Sequence, residues 1–347
     1  MNSMNRPRFL LSKSKLLEQY SKVKELAGNV SYSVKTNPTV AEVLEKNTGS
    51  WFTIHSTRYL DTINDMNRVW FVGQAWNNND INFLFEKGLK SFIVDNERDL
   101  EILIESIEKN NKKINLLLRM KMKEYTIRTE RHFVYGMYSK QINNLIPKLR
   151  NNPHIEKLGV HFHRKTQNIS EWSLKEEVSE VLNEETLKAI DIINIGGGLP
   201  VDYRNYTVDN HDYIFEEIRK FKEWINEYGI QMFIEPGRFI AAPCIKLETE
   251  IIAIYENNII VNCSVYNSAM DTFVAHIRLL VENEMENNQG ERFTIKGFTP
   301  DSTDVFRYRV YLNKPKVGDK IIFLNAGAYT YSTDFLSLEK PETVIVE

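Results

Sequence analysis

The sequence predicts an α/β protein, in which a (β/α)8 TIM barrel is followed by a C-terminal, mostly antiparallel β domain. Two observations lead to this prediction. Through about the first 240 of the 347 residues, short apolar, β-branched or aromatic runs alternate with amphipathic segments, which is typical of parallel strands joined by helices. Beyond that point, strand-like runs follow one another with only turns between them, which is typical of an antiparallel sheet.

The first part of the chain contains eight strand-like runs. A closed barrel of parallel strands needs eight, and about 240 residues is an ordinary size for that fold. On this rhythm alone, an open doubly wound sheet is the structural alternative. The runs are residues 30–35, 51–56, 68–73, 91–96, 114–120, 158–164, 192–197 and 232–237.

Amphipathic segments fill the intervals between these runs. In residues 213–224, the apolar side chains Ile214, Ile218, Phe221 and Trp224 recur at helical spacing. The predicted helices are residues 40–47, 79–88, 97–109, 140–146, 171–182 and 210–229.

The chain therefore divides into three predicted segments. Residues 1–25 form an N-terminal segment that contributes a strand, through Phe9-Leu10-Leu11, to the β domain. Residues 26–240 form the cofactor-binding barrel, and residues 241–347 form the C-terminal β domain. Strands are predicted there at residues 246–255, 258–265, 292–297, 307–312 and 319–324.

Composition excludes several classes of protein. The net charge of −3 gives no electrostatic signature of nucleic-acid binding. No apolar run approaches the ~20 residues of a membrane-spanning helix. The two cysteines, Cys244 and Cys263, form neither a disulfide framework nor a zinc motif, which suits a reducing compartment. These features predict a cytoplasmic protein that acts on a small molecule.

Ionisable residues and glycines gather where the predicted barrel strands end. In a (β/α)8 barrel the chemistry takes place at the C-terminal ends of the strands. Each residue alone has a structural explanation, but a rim that carries all of them indicates an active site. The strand ends supply Lys35, His55-Ser56, Gly73-Gln74, Asp95-Asn96, Arg119, His161, His163, Gly196-Gly197-Gly198, Glu235 and Arg238.

This set of side chains suits pyridoxal 5'-phosphate. A desolvated lysine such as Lys35 is a nucleophile that forms a Schiff base with an aldehyde. A glycine turn at residues 196–198 offers backbone N–H groups to a phosphate, an acid holds the pyridine nitrogen protonated, and His163 can stack on the ring. A two-histidine metal clip at His161 and His163 is the alternative, less favoured because no third ligand is evident, so no metal is predicted.

Five motifs, in order, resemble those of the fold-type III pyridoxal-phosphate decarboxylases, the ornithine and diaminopimelate decarboxylase group with an alanine-racemase-like barrel. The resemblance covers nearly the whole chain. The motifs are residues 32–37 (lysine motif), 159–163 (histidine strand), 194–199 (phosphate loop), 235–238 (acid–arginine motif) and 327–329 (tyrosine motif).

The resemblance implies a role for each matching residue. Lys35 would form the internal aldimine, His163 would stack on the pyridine ring, and Glu235 would pair with the pyridinium nitrogen. It also implies a homodimer with shared active sites, in which the partner's Asp301 region completes each site and binds a distal substrate amine. The implied contacts to the phosphate region are Gly197, Gly198, Arg238, Tyr329 and the hydroxyl of Thr166.

Two departures from the family pattern stand out. After its histidine the family carries a small Gly-Ser pair, whereas here His163 is followed by Arg164-Lys165-Thr166, with Lys165 in place of the glycine, which predicts a more basic rim. Pro300 stands where the family carries a cysteine that protonates Cα after carbon dioxide leaves. Proline has no side-chain proton to give, so Lys35, a histidine or water must supply it.

The resulting prediction is pyridoxal-phosphate-dependent decarboxylation of an amino acid in polyamine or amino-acid metabolism. The resemblance favours a basic or diamino acid, of the ornithine, lysine, diaminopimelate or carboxyspermidine type. A racemase or a decarboxylating transaminase is the alternative, and a non-catalytic decarboxylase-like partner protein is a third.

Overall fold

The computed structural model describes residues 6–122, 135–287 and 289–347. The chain forms two compact units. The barrel unit comprises Ser21–Pro200 and Asn210–Gly237, and the β unit comprises Met1–Tyr20, Val201–Asp209 and Arg238–Glu347. The domain limits predicted from the sequence stay a prediction. The described chain begins with strand β1 (Arg8–Ser12), which leads directly into helix α1 (Lys13–Ala27).

The barrel unit contains a closed barrel of eight parallel strands, counted over the described ranges. The last strand pairs with the first, with Asn29 opposite Phe233 and Val30 opposite Ile234, and this closure excludes the open doubly wound sheet. The predicted barrel is therefore confirmed. Its strands are β2 (Asn29–Ser33), β3 (Trp51–Ile54), β4 (Val69–Gly73), β5 (Ser91–Val94), β6 (Ile114–Arg119), β7 (Ile155–His161), β8 (Ile192–Asn194) and β9 (Gln231–Ile234).

Helices follow the barrel strands, and local side-chain chemistry explains where several of them begin. Asn77 and Asp80 form a reciprocal capping box at the start of one helix, and Asn96 accepts the backbone N–H of Asp99 at the start of the next. The helices of this part of the chain are α2 (Pro38–Asn47), α3 (Asn78–Glu86), α4 (Glu97–Lys109), α5 (Ser139–Leu149), α6 (Leu174–Val181), α7 (Glu184–Ala189) and α8 (His211–Asn226).

A buried aromatic and aliphatic cluster fills part of the barrel unit. Trp70, Leu117 and Phe233 belong to it, and Trp51 packs against it from a partly buried position. The rings of Trp51 and Trp70 stack at 5.9 Å between centroids, and Trp51 meets Phe233 edge-on at 5.5 Å. Offset and edge-on pairs of this kind stabilise beyond their buried area, so the cluster fixes strands β3, β4, β6 and β9 relative to one another.

The β unit is built on a mixed, mostly antiparallel sheet, as predicted. Strand β1 pairs antiparallel with the long strand that opens the C-terminal part, and parallel with the strand that closes the chain. The elements are α9 (Arg238–Ala241), β10 (Ile245–Tyr255), β11 (Asn258–Val261), α10 (Val265–Ser268), α11 (Asp271–Val274), β12 (Leu280–Val281), β13 (Glu291–Lys296), β14 (Val305–Leu312), β15 (Lys320–Leu324) and β16 (Glu342–Val346). The sheet order is β12-β15-β10-β11-β13-β14, and β11 and β13 are parallel.

Within the ranges that the structure describes, no helix combines the length and the apolar character needed to cross a membrane.

Candidate active site

Lys35 lies at the point where the first barrel strand gives way to a turn. Strand β2 ends at Ser33, a single 3-10 turn carries Val34–Thr36, and Pro38 begins α2. Proline is well tolerated at the first position of a helix because the N–H it lacks has no helical partner there. The strand therefore ends abruptly, and the Lys35 side chain reaches a cavity at the C-terminal ends of the strands.

This cavity belongs entirely to the barrel unit and has a volume of about 420 Å³. It brings together residues from the ends of seven of the barrel strands, and most of them carry a polar or ionisable group. Its lining consists of Lys35, His55, Val72, Gly73, Gln74, Asp95, Arg119, Tyr135, His161, His163 and Glu235.

The surroundings of Lys35 favour the neutral, nucleophilic form of its amine. Its tip is open to the cavity, but the surrounding strand ends remove much of its water, and this desolvation lowers the pKa of the ammonium below its usual value. The charge of Glu235 partly offsets that effect, and the charge of Arg119 adds to it. Neutral amine is therefore available at lower pH than for a solvated lysine.

Glu235 follows strand β9 and is only 4% exposed. Its Oε1 accepts hydrogen bonds from Thr53 Oγ1 and Asn194 Nδ2, both at 2.8 Å. Its Oε2 lies 3.2 Å from His161 Nε2. Burial on its own would raise the pKa of this carboxyl, but the neighbouring imidazoles, His161 foremost, lower it well below its usual value. The cavity is therefore lined by an ionised carboxylate.

Two of the side chains that hold Glu235 were not assigned that role from the sequence: Thr53 was not singled out, and Asn194 was named only within the glycine motif at residues 194–199. Thr53 donates its hydroxyl proton to Glu235, so the 2.7 Å contact between the hydroxyls of Ser31 and Thr53 has Ser31 as its donor. Ser31, Thr53 and Asn194 are fully buried in strands. A small polar residue within a buried strand is the sequence feature that indicates such a role, because a buried polar group must find a hydrogen-bond partner inside the fold.

The two histidines of strand β7 and its continuation serve different partners. Since Glu235 is ionised, His161 Nε2 carries the proton and donates it, and His161 Nδ1 is buried with no partner among the described residues. His163 Nδ1 accepts the backbone N–H of Gly197 at 3.2 Å, which fixes the orientation of its ring. Desolvation, followed by the charge of Lys35, lowers the pKa of His163 to about 3, so this imidazole is neutral.

Metal binding gains no support from this geometry. Across the described part of the chain, no group of three histidine, cysteine or carboxylate side chains is placed to hold a metal ion.

The glycine turn after strand β8 is required by close packing. A Cβ on Gly196 would lie 2.4 Å from the carbonyl oxygen of Phe162, and one on Gly197 would lie 2.6 Å from the carbonyl oxygen of Glu235. Gly198 has φ +110°, a conformation that other residues rarely adopt. These glycines let the turn lie against the ends of β7 and β9, and phosphate binding by Gly197 and Gly198 stays a prediction.

The expectation of a more basic rim is wrong for Arg164 and stays a prediction for Lys165. Its guanidinium is buried, donates to Glu177 Oε2 at 3.2 Å and to the carbonyl of Glu171, and lies near the rings of Phe162 and Trp172. Its charge is therefore neutralised inside the barrel unit. Thr166 is exposed in the segment that follows, and its predicted role stays a prediction.

In the β unit, Arg238 begins helix α9 and is buried. Its Nη1 donates to the hydroxyl of Tyr203 at 3.0 Å and to the carboxylate of Asp271, and its guanidinium lies 5.0 Å from the ring centre of Tyr329. Burial opposes the charge, but Tyr203 and Asp271 outweigh it and raise the pKa of Arg238. The predicted phosphate contacts of Arg238 and Tyr329 stay a prediction.

Asp301, also in the β unit, is an accessible and ionised carboxylate. Its Oδ1 accepts the hydroxyl of Tyr266 at 2.7 Å and the backbone N–H of Thr303 at 2.8 Å, and these bonds lower its pKa. It lies next to Pro300. Both cysteines are in the same unit, and burial raises the pKa of Cys244 and of Cys263 to about 12, so both thiols are protonated and buried.

Comparisons with known proteins identify the family. A family model described as the pyridoxal-binding domain of pyridoxal-dependent decarboxylases matches residues 13–242. The chain is 25% identical over 312 residues to a diaminopimelate decarboxylase from Halalkalibacterium halodurans, a match covering 81% of this chain and 70% of the relative.

It is 24% identical over 313 residues to a 2-[(L-alanin-3-ylcarbamoyl)methyl]-2-hydroxybutanedioate decarboxylase from Staphylococcus aureus, covering 80% and 76% of the two chains. Among solved structures, diaminopimelate decarboxylase from Helicobacter pylori complexed with L-lysine aligns with a TM-score of 0.84 at 18% identity, over 99% of this chain and 92% of that one. This likeness shows the fold.

Proposed function

The chain belongs to the family of pyridoxal-dependent decarboxylases, and from that premise we propose that its barrel cavity removes the carboxylate of a basic or diamino acid as carbon dioxide. The observation that carries the proposal is a single cavity lined by Lys35, His163 and Glu235. These residues fit pyridoxal 5'-phosphate because they provide a desolvated amine, a neutral imidazole and a buried negative charge in one space.

The cofactor, when bound, supplies an aldehyde for the amine and an electron-withdrawing ring for the carbon that loses carbon dioxide. Glu235 supplies the negative charge that binds a protonated ring nitrogen. His163 is held by Gly197 and presents a neutral ring to the same space. Asn194, Thr53 and His161 keep the Glu235 carboxylate oriented and ionised.

We propose Lys35 as the acid that completes the reaction. Pro300 stands in place of the family's thiol, and Cys244 and Cys263 are buried in the β unit. Lys35, by contrast, lines the cavity. In this step an N–H bond of the Lys35 ammonium breaks, a C–H bond forms at the carbon that lost carbon dioxide, and the nitrogen keeps the electron pair.

A basic substrate is favoured by the accessible carboxylate of Asp301. Its low pKa keeps it charged at neutral pH, which suits the distal amine of a diamino acid. We propose a homodimer in which the partner's Asp301 completes each cavity. The Halalkalibacterium halodurans relative is named for diaminopimelate, and the Staphylococcus aureus relative is named for a larger, carboxylate-rich amide, so both substrates belong in the test.

The test measures carbon dioxide released from ornithine, lysine, arginine, meso-diaminopimelate, carboxyspermidine and the substrate named for the Staphylococcus aureus relative. Wild-type protein loaded with pyridoxal phosphate should release carbon dioxide from at least one of them, and Lys35→Ala from none. Chiral analysis of recovered substrate separates racemisation from decarboxylation. A wild-type protein that releases no carbon dioxide, while racemising or transaminating a substrate, would contradict the proposal.

A further inference from the structure

Lys35 and His55 follow the ends of two neighbouring strands, β2 and β3. Strands β2 and β3 run parallel, with Ser33 opposite Thr53, and each residue of interest lies two positions further along its chain. Positions two apart on an extended chain share a side, and Thr53 points inward to Glu235. His55 accordingly lines the same cavity as Lys35, and its Nε2 lies 3.5 Å from Lys35 Nζ.

The chemistry of the two groups fixes the direction of a hydrogen bond between them. A lysine ammonium only donates, whereas a neutral imidazole nitrogen without a proton accepts. Desolvation, followed by the charge of Lys35, lowers the pKa of His55 to about 3. The charges of His161 and Arg119 act in the same direction, and the charge of Glu235 opposes them. His55 is therefore neutral at ordinary pH, and its Nε2 lone pair can face the ammonium.

Three other ionisable side chains of the cavity have partners of their own. His161 donates to Glu235, His163 accepts from the backbone of Gly197, and Arg119 pairs with Asp95 at 2.9 Å. The Nε2 atom of His55 lies within hydrogen-bonding reach of Lys35 Nζ. Contacts of this kind are often long before substrate binds and shorten in the working complex.

We propose that His55 is a positioning residue for Lys35: its Nε2 accepts a hydrogen bond from the Lys35 ammonium and aims that ammonium at the carbon that has lost carbon dioxide. This inference rests on the proposed function, because it assigns His55 to the proton return at Lys35. It predicts that the proton reaches one face of that carbon, and that the ammonium is stabilised by its acceptor.

The first experiment follows the proton. Turnover in deuterium oxide, followed by NMR of a chiral derivative of the amine product, reports which hydrogen position receives deuterium. Wild-type protein should label one position. His55→Leu, which has no acceptor, should label both, and His55→Asn, whose amide oxygen accepts, should restore most of the selectivity.

The second experiment does not depend on turnover. The rate at which the protein takes up pyridoxal phosphate, followed by absorbance at ~420 nm, should rise with pH as Lys35 loses its proton. Loss of the acceptor destabilises the ammonium, so the midpoint in His55→Leu should move to lower pH by about 1 unit, and His55→Asn should reverse most of the shift.

His154→Leu is the matched control. His154 precedes strand β7, contacts the backbone carbonyl of Lys112 and does not line the cavity, so both readouts should stay at wild-type values. Thermal melts establish that each variant folds. Should His55→Leu not fold, His55→Phe, which also lacks an acceptor, takes its place with the same expected loss of selectivity and the same expected shift of the uptake midpoint.

Single-position labelling together with an unchanged uptake midpoint in a folded His55→Leu protein would overturn the inference. If the wild-type protein takes up cofactor but releases no carbon dioxide from any amino acid, the proposed function fails instead. The uptake midpoints then still decide whether His55 is the acceptor of Lys35.

Discussion

Glu235 Oε2 lies 3.2 Å from His161 Nε2, and the two residues are 4% and 3% exposed. A buried carboxylate is costly unless hydrogen bonds and opposite charge compensate it. Thr53 and Asn194 supply the remaining donors. The barrel therefore holds a negative charge inside the cavity that also contains Lys35, and this arrangement leads to the first two predictions.

Replacing Glu235 by glutamine removes the charge and keeps the shape. Cofactor should still attach, since Lys35 is unchanged, but carbon dioxide release should fall about 100-fold or more because the ring nitrogen loses its counter-charge. The measurement is kcat for the best substrate at saturating cofactor. Glu184→Gln, at an exposed position, is the control and should keep wild-type kcat. A Glu235→Gln protein with kcat within threefold of wild type would contradict this role.

Acid should weaken the folded protein through the same carboxyl. The folded-state pKa of Glu235 lies below its usual value of 4.5, so the stability it contributes is present above about pH 4.5 and is lost as the pH falls further. Urea unfolding midpoints of the cofactor-free protein should therefore drop between pH 5 and pH 3.5, and drop less steeply in Glu235→Gln. Identical slopes for both proteins would show that Glu235 is not the group responsible.

The glycine turn allows a packing prediction. In Gly197→Ala the new Cβ would lie 2.6 Å from the carbonyl oxygen of Glu235, so the end of strand β9 must move. We expect a loss of about 1–3 kcal/mol in the free energy of unfolding, together with weaker cofactor binding. Gly49→Ala is the matched control, because its Cβ would enter open space. Equal stability of the two variants in urea unfolding would mean that the turn is not tightly packed.

Shared active sites predict complementation between two defective proteins. Lys35→Ala lacks the nucleophile, and Asp301→Asn lacks the charge that is proposed to bind the distal amine. If each cavity takes Lys35 from one subunit and Asp301 from the partner, mixed dimers regain one intact site, and an equimolar mixture should recover about a quarter of wild-type activity. The measurement is carbon dioxide release before and after subunit exchange. Activity equal to the mean of the two separate variants would contradict shared sites.

The fold was predictable because the strand-like runs and the helical segments between them indicated the same architecture. Apolar runs with helical segments between them predicted the barrel, and Ile192 and Phe233, from two such runs, pack in one buried cluster. The ends of the elements were predicted less well. The run at residues 158–164 predicts strand throughout, but β7 ends at His161, and His163 lines the cavity beyond it.

The candidate site was predictable where residues stand at strand ends, and less so within strands. Lys35, His163 and Glu235 were identified from their positions and line one cavity. Thr53, and the contact of Asn194 with Glu235, were not predicted because a buried hydroxyl or amide inside a strand gives no periodic signal. The basic rim was wrong for Arg164, since sequence cannot show that a guanidinium points inward to Glu177.

The role of Lys35 is tested most directly by locating the bound cofactor on the chain. Wild-type protein is loaded with pyridoxal phosphate, reduced with borohydride, digested and examined by mass spectrometry, with Lys35→Arg treated in parallel. We expect one modified lysine, Lys35, and no modification in Lys35→Arg. Stoichiometric modification of another lysine, or of Lys35→Arg itself, would contradict the assignment of Lys35 as the lysine that holds the cofactor.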